Sequence, residues 1–215
     1  MKRMYSSLHL IRKDFILTRK FMLLLIPYYV LMGYTNPEAY TAFSLFPAVL
    51  LLVNSCAIDM QHNNQKFLVS LPVPRQRLIL AKYLTLIPFS MFSFICTLLL
   101  YLLAFAMGRL DAPLRWRELG LATAAFPLIA SFYLPLYYWL GQKGMQVVNI
   151  VFIMLIMLNF TALTSLTERY PALAEWVLTG RMDNVLLTII SVLAYLVIIY
   201  GSYLLSLRIF VKKDV

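Results

Sequence analysis

Residues 84–107 read LTLIPFSMFSFICTLLLYLLAFAM. The run holds no Asp, Glu, Lys, Arg or His. A helix needs about 20 residues to cross roughly 30 Å of hydrocarbon, so this segment reads as a membrane span. Five more runs share its freedom from charge: Phe21–Tyr34, Tyr40–Ala57, Leu119–Leu140, Met145–Leu163 and Val185–Leu207. The whole chain agrees, with 62% hydrophobic and 13% charged residues, where a soluble domain carries about 25% charged. A soluble fold of 215 residues cannot hide so many apolar groups, whereas a bilayer requires no polar outer surface. The expected fold is all-α: a polytopic membrane protein with six transmembrane helices behind an N-terminal interfacial helix.

The first run is the short one, 14 residues with Pro27 inside. It spans if Arg19 and Lys20 snorkel to the headgroups or if the helix starts earlier, toward Phe15. The competing reading of residues 1–35 is a cleaved signal peptide. Its basic region would be unusually long, and no small-x-small cleavage site follows. Pro27, Pro47, Pro88, Pro127 and Pro135 read as kinks, which membrane helices tolerate when neighbours satisfy the freed carbonyls. Cys56 and Cys96 lie inside apolar runs and read as buried free thiols.

Orientation follows from the basic residues in the connections. Of 19 Lys and Arg, one side collects fourteen: Lys2, Arg3, Arg12, Lys13, Arg19, Lys20, Lys66, Arg75, Arg77, Lys82, Lys143, Arg208, Lys212 and Lys213. The other side holds five. The basic side should face the cytoplasm, with both termini there. The net charge of +10 then points to the anionic cytoplasmic leaflet and its lipids rather than to nucleic acid.

Three organisational units follow: an interfacial segment, 1–20; a six-helix domain, 21–207; and a cytoplasmic tail, 208–215. In the first, Met4, Leu8, Ile11 and Phe15 recur at helical spacing among basic residues, an amphipathic pattern suited to the membrane surface. Within the domain, the cytoplasmic connection 58–83 reads IDMQHNNQKFLVSLPVPRQRLILAKY. Asp59–Ser70 can form a short helix, Pro72 disfavours helix in the residue before it, and Pro74 can open a second helix leading into the third span. A positive-inside loop that only sets topology is the plainer reading of the same charges. On the other side, 164–184 holds a short apolar stretch, Pro171–Leu178, that reads as an interfacial or re-entrant helix with Trp176 in the aromatic belt.

Several chemistries are missing. There is no GxxxxGK[ST] phosphate loop, no HExxH and no GxSxG. His9 and His62 are the chain's two histidines. Ion-driven transporters place ionisable groups near the midplane, and these runs have none, so the energy for any transport should come from another chain. Asn54, Gln142, Asn149 and Asn159 read as interhelical hydrogen-bonding groups.

The basic helix ending RKDFILTRK (12–20), the six spans and SLPVPRQRLILAKYL (70–84) together resemble the permease subunits of type-2 ABC exporters. The likeness is to small bacterial permeases without a fused ATPase, and it covers nearly the whole chain. Its most specific part is Ser70–Leu84, through Leu71-Pro72, Arg75 and Ala81-Lys82-Tyr83; the short first span departs from the pattern. The resemblance implies an N-terminal elbow helix and a coupling helix in 58–83. That helix would dock on a separate ATP-binding subunit through Lys66, Phe67, Leu68, Leu71, Pro72, Arg75, Arg77 and Lys82. It also implies a second permease, making a homo- or heterodimer, and a bacterial cell-membrane location. ATP and Mg would sit on the partner, with no cofactor on this chain. Family cargoes include peptides, drug-like and lipid-like compounds. Two other classes stay open on sequence alone. One is a membrane enzyme acting on lipid or peptide through Asp111, Arg115, Arg117 and Glu118. The other is a regulatory membrane subunit with no transport path.

Overall fold

The computed structural model describes residues 2–35, 44–60, 74–109, 113–114, 116–169 and 185–212. These form six helices and no strand: α1 (Lys2–Thr35), α2 (Phe46–Met60), α3 (Arg75–Leu84), α4 (Leu86–Ala106), α5 (Trp116–Arg169) and α6 (Val185–Lys212). The protein is thus an all-α membrane protein, as its apolar runs require.

Local chemistry explains the breaks. Pro74 is extended, with φ −55° and ψ 134°, and α3 begins directly after it. Thr85 separates α3 from α4 and keeps right-handed helical angles. The cause lies downstream: Pro88 has no N–H for the carbonyl of Leu84. Thr85 is held by its hydroxyl, which donates to the carbonyl of Ala81 at 2.7 Å. In α5 the helical path is interrupted at Gly141, whose φ of 67° suits glycine. That position separates the fourth and fifth expected spans.

α1 behaves differently from expectation. The interfacial segment and the first span form one uninterrupted helix of 34 residues, about 51 Å long at 1.5 Å per residue. No glycine or proline precedes Pro27 to end it. The tail is likewise no separate piece as far as Lys212, because α6 runs through it.

Three segments are long and apolar enough to cross a membrane among the described residues: Arg75–Ala106, Leu119–Gly141 and Ile189–Lys212. Phe46–Met60 and Gly144–Met154 are apolar but shorter. α2 is the centre of the bundle and packs against α1, α4 and α5. Leu51, Leu52 and Cys56 on α2 are fully buried and meet Phe89, Leu100, Phe126 and Tyr133 in one apolar core. The outside is inverted relative to a soluble protein: Val197 is 68% exposed, Phe132 67% and Trp139 65%. Such side chains belong in lipid. Cys56 and Cys96 are free and buried.

Candidate functional site

α3 forms the C-terminal part of the connection 58–83 and is joined by polar contacts to three other helices. The strongest join is a cluster of four ionic side chains. Lys82 on α3 is 5% exposed, Asp14 on α1 4% and Asp59 on α2 6%. The Lys82 ammonium donates to Asp59 Oδ2 at 2.6 Å, to Ser55 Oγ at 2.7 Å and to Asp14 Oδ2 at 3.3 Å. Its three N–H groups thus meet three acceptors. Lys13 donates to Asp59 Oδ1 at 2.8 Å and lies 3.3 Å from Asp14 Oδ1. The Thr85 hydroxyl reaches Asp14 Oδ2 at 3.4 Å.

Two carboxylates and two ammonium groups make the cluster neutral, which is what makes its burial tolerable. One hydrogen bond is missing: Asp14 Oδ1 is buried without a donor, although the Lys13 charge stands near it. Lys13 is the member that reaches the surface, with its side chain 32% exposed. Removing one charge from such a buried set typically costs about 3–5 kcal/mol, because the others are left uncompensated.

α3 is also tied to α6. Arg75 Nη1 donates to the carbonyls of Val211 and Phe210 at 3.2 and 3.4 Å, and its guanidinium lies 6.0 Å from the Phe210 ring. Carbonyls in the last turn of a helix lack intrahelical donors, and a cation there also meets the negative end of the helix dipole. Phe210 is itself buried against Tyr138, with ring centroids 5.2 Å apart. The Tyr83 hydroxyl shares hydrogen bonds with Ser202 at 2.6 Å and Ser206 at 3.0 Å. Ser202 donates onward to the Ser131 carbonyl at 2.6 Å, which brings α5 into the chain.

The sequence-derived residues therefore divide. Lys66, Phe67, Leu68, Leu71 and Pro72 lie outside the described residues. Arg77 is half-buried on α3. Arg75 is engaged with α6, and Lys82, expected at a partner surface, points into the bundle instead. Burial of two carboxylates beneath α3 explains the difference: they require a cation, and Lys82 supplies it. Asn149 links the two parts of α5 on either side of Gly141, accepting from the Tyr133 hydroxyl at 2.7 Å. Asp111 and Arg115 lie outside the described residues, Arg117 is exposed, and the Glu118 side chain is not described. The segment 170–184 also lies outside them.

Asp14, Asp59, Ser55, Tyr83, Ser202 and Ser206 were not singled out as one site by sequence. One signal was available. The basic side of the chain holds three acids, Asp14, Asp59 and Asp214, and Asp59 stands two residues beyond the end of an apolar run.

The family model described as an ABC-2 family transporter protein matches residues 9–211, all but the extreme ends of the chain. No curated protein matches the chain, and no solved structure does.

Proposed function

The chain belongs to the ABC-2 family of transporter proteins, and on that premise we propose that it is the permease subunit of an ATP-driven exporter. A separate ATP-binding subunit supplies the energy and holds ATP and Mg. Two permeases, identical or different, form the path with two such subunits. The cargo is a peptide, drug-like or lipid-like compound moved out of a bacterial cell by alternating access through a six-span domain.

The observation that carries the coupling reading is the set of ties on α3. Alternating access works if nucleotide changes the relative energy of two helix packings. A push on the connection 61–73 must then reach the bundle without being absorbed locally. α3 starts one residue beyond Pro74 and is ionically linked to α1 and α2 through Lys82. It is also hydrogen-bonded to α6 through Arg75 and Tyr83. In this reading Lys66, Phe67, Leu68, Leu71 and Pro72 meet the ATP-binding subunit, Arg77 contacts its acidic rim, and Arg75 and Lys82 carry the motion inward.

The test is a pull-down of the ATP-binding subunit by wild-type and Phe67→Ala permease, with stimulated ATP hydrolysis measured beside it. Truncating a buried aromatic anchor can cost more than about 2 kcal/mol of binding. The variant should insert normally, capture little partner and fail to stimulate hydrolysis. Arg77→Ala should show a milder, salt-sensitive loss. Undiminished capture by Phe67→Ala would sink the docking assignment.

A further inference from the structure

At the end of the bundle remote from the ion cluster, α1 and α4 part to leave an apolar groove. Asp14 and Tyr34 are twenty residues apart on α1, about 30 Å along the helix axis, or one hydrocarbon thickness. If the cluster marks one boundary of the bilayer, Tyr34 marks the level of the other. The groove runs inward from Tyr34. Its outer chamber is about 530 Å³, lined by Pro27, Val30, Leu31, Tyr34, Leu103 and Met107. A second chamber of about 200 Å³ continues it toward Cys96 and Leu100 and shares Val30 and Leu103 as walls. The outer volume lies in the range of ligand sites, and the lining of both is apolar apart from the Tyr34 and Tyr29 hydroxyls and the Cys96 thiol.

A cation is fixed at the mouth. The guanidinium of Arg109 lies 4.0 Å from the centroid of the Tyr34 ring, and its Nη1 donates to the Tyr34 carbonyl at 2.8 Å. The backbone holds it there. Gly108, with φ 64°, donates to the carbonyl of Phe105, and Arg109 N–H donates to that of Ala104, both at 3.0 Å. This is the two-bond closure that ends a helix in a left-handed glycine. It sets Arg109 at the end of α4, beside the end of α1. A guanidinium has five N–H donors in a plane suited to phosphate oxygens.

We propose that the α1–α4 groove is a binding site for an anionic phospholipid of the membrane, with one acyl chain between Val30 and Leu103 and the phosphate on Arg109. Charge complementarity selects this occupant. Neither a neutral apolar molecule nor an uncharged helix of a partner would make use of the fixed cation. The site is independent of the reading as an exporter, since it requires neither nucleotide nor a second subunit.

The experiment is native mass spectrometry of the full chain released from bilayer discs of phosphatidylglycerol and phosphatidylcholine in equal amounts. Wild type should retain phosphatidylglycerol over phosphatidylcholine by about tenfold, the size of one good charge-assisted contact. Arg109→Gln should bring the two lipids near parity. Leu31→Trp and Leu103→Trp fill the groove from opposite walls at exposed side chains, and each should lower retention of both lipids at least about fivefold. Retention unchanged by both tryptophans would overturn the groove, and an undiminished phosphatidylglycerol preference in Arg109→Gln would overturn the headgroup assignment. No ATP-binding subunit is present, so failure here leaves the transport reading standing, and failure of transport leaves this site standing.

Discussion

Gly108 and Tyr83 show how single residues fix the geometry of this bundle. A side chain at the φ of Gly108 is strained even though open space surrounds the position. Gly108→Ala should therefore cost about 1–2 kcal/mol through backbone conformation alone, measured as a lower melting temperature in detergent, and it should loosen Arg109 from Tyr34. An unchanged melting temperature would show that the turn relaxes freely. Tyr83 differs, because its hydroxyl is committed to two serines across a helix interface. Tyr83→Phe keeps the ring, which packs edge-on against Tyr203 at 5.6 Å, and removes the hydrogen bonds. The expected loss is about 1 kcal/mol in thermal unfolding, as for other interhelical hydrogen bonds in membranes. A loss above about 3 kcal/mol would mean that the serines cannot find other partners. Ser202 and Ser206 are buried beside Tyr83 and serve packing within one chain.

At the level of helices, the apolar runs were legible because lipid imposes a single rule, and 84–107 satisfies it without help from any other residue. The joining of 1–20 to the first span was not legible. Amphipathic and apolar stretches differ in composition, yet composition alone does not break a helix, and no breaker stands between Lys2 and Pro27. The ion cluster was less legible still, because Asp14, Asp59 and Lys82 come from three helices and each looks like an ordinary charge at a span end. The cluster can be tested by its charge balance. Lys82→Met leaves two buried carboxylates facing Lys13 alone and should cost about 3–5 kcal/mol. Asp59→Asn leaves two ammonium groups with one carboxylate and should cost a similar amount. The double variant restores neutrality through Lys13 and Asp14, so its loss should be clearly smaller than the sum of the two. Thermal unfolding of all four proteins measures this, and additive losses would show that the residues do not interact.

For the whole molecule, the question is which side of the membrane the cluster occupies. The basic asymmetry of fourteen to five predicts that the cluster, α3 and the C-terminal turn of α6 lie on the cytoplasmic side. Packing gives the same grouping without reference to charge counts: Arg75 binds the end of α6, and Asp14 binds Lys82. Residues near the N-terminus, the start of α3 and the C-terminus therefore share one face of the bundle. Arg109, at the other end of α4, belongs to the opposite face. An ATP-binding subunit that works on α3 must reach that first face from the cytoplasm, so sidedness and coupling stand or fall together. The prediction is that Ser7→Cys and a cysteine placed after Val215 stay unlabelled by an impermeant thiol reagent in intact cells and label after permeabilisation. Asp111→Cys and Glu175→Cys should label from outside. The native thiols leave the background low, because Cys56 and Cys96 are 0% and 6% exposed. Labelling of Ser7→Cys in intact cells would invert the topology and leave α3 facing away from any cytoplasmic ATPase, which would remove the coupling mechanism while leaving the helix packing untouched.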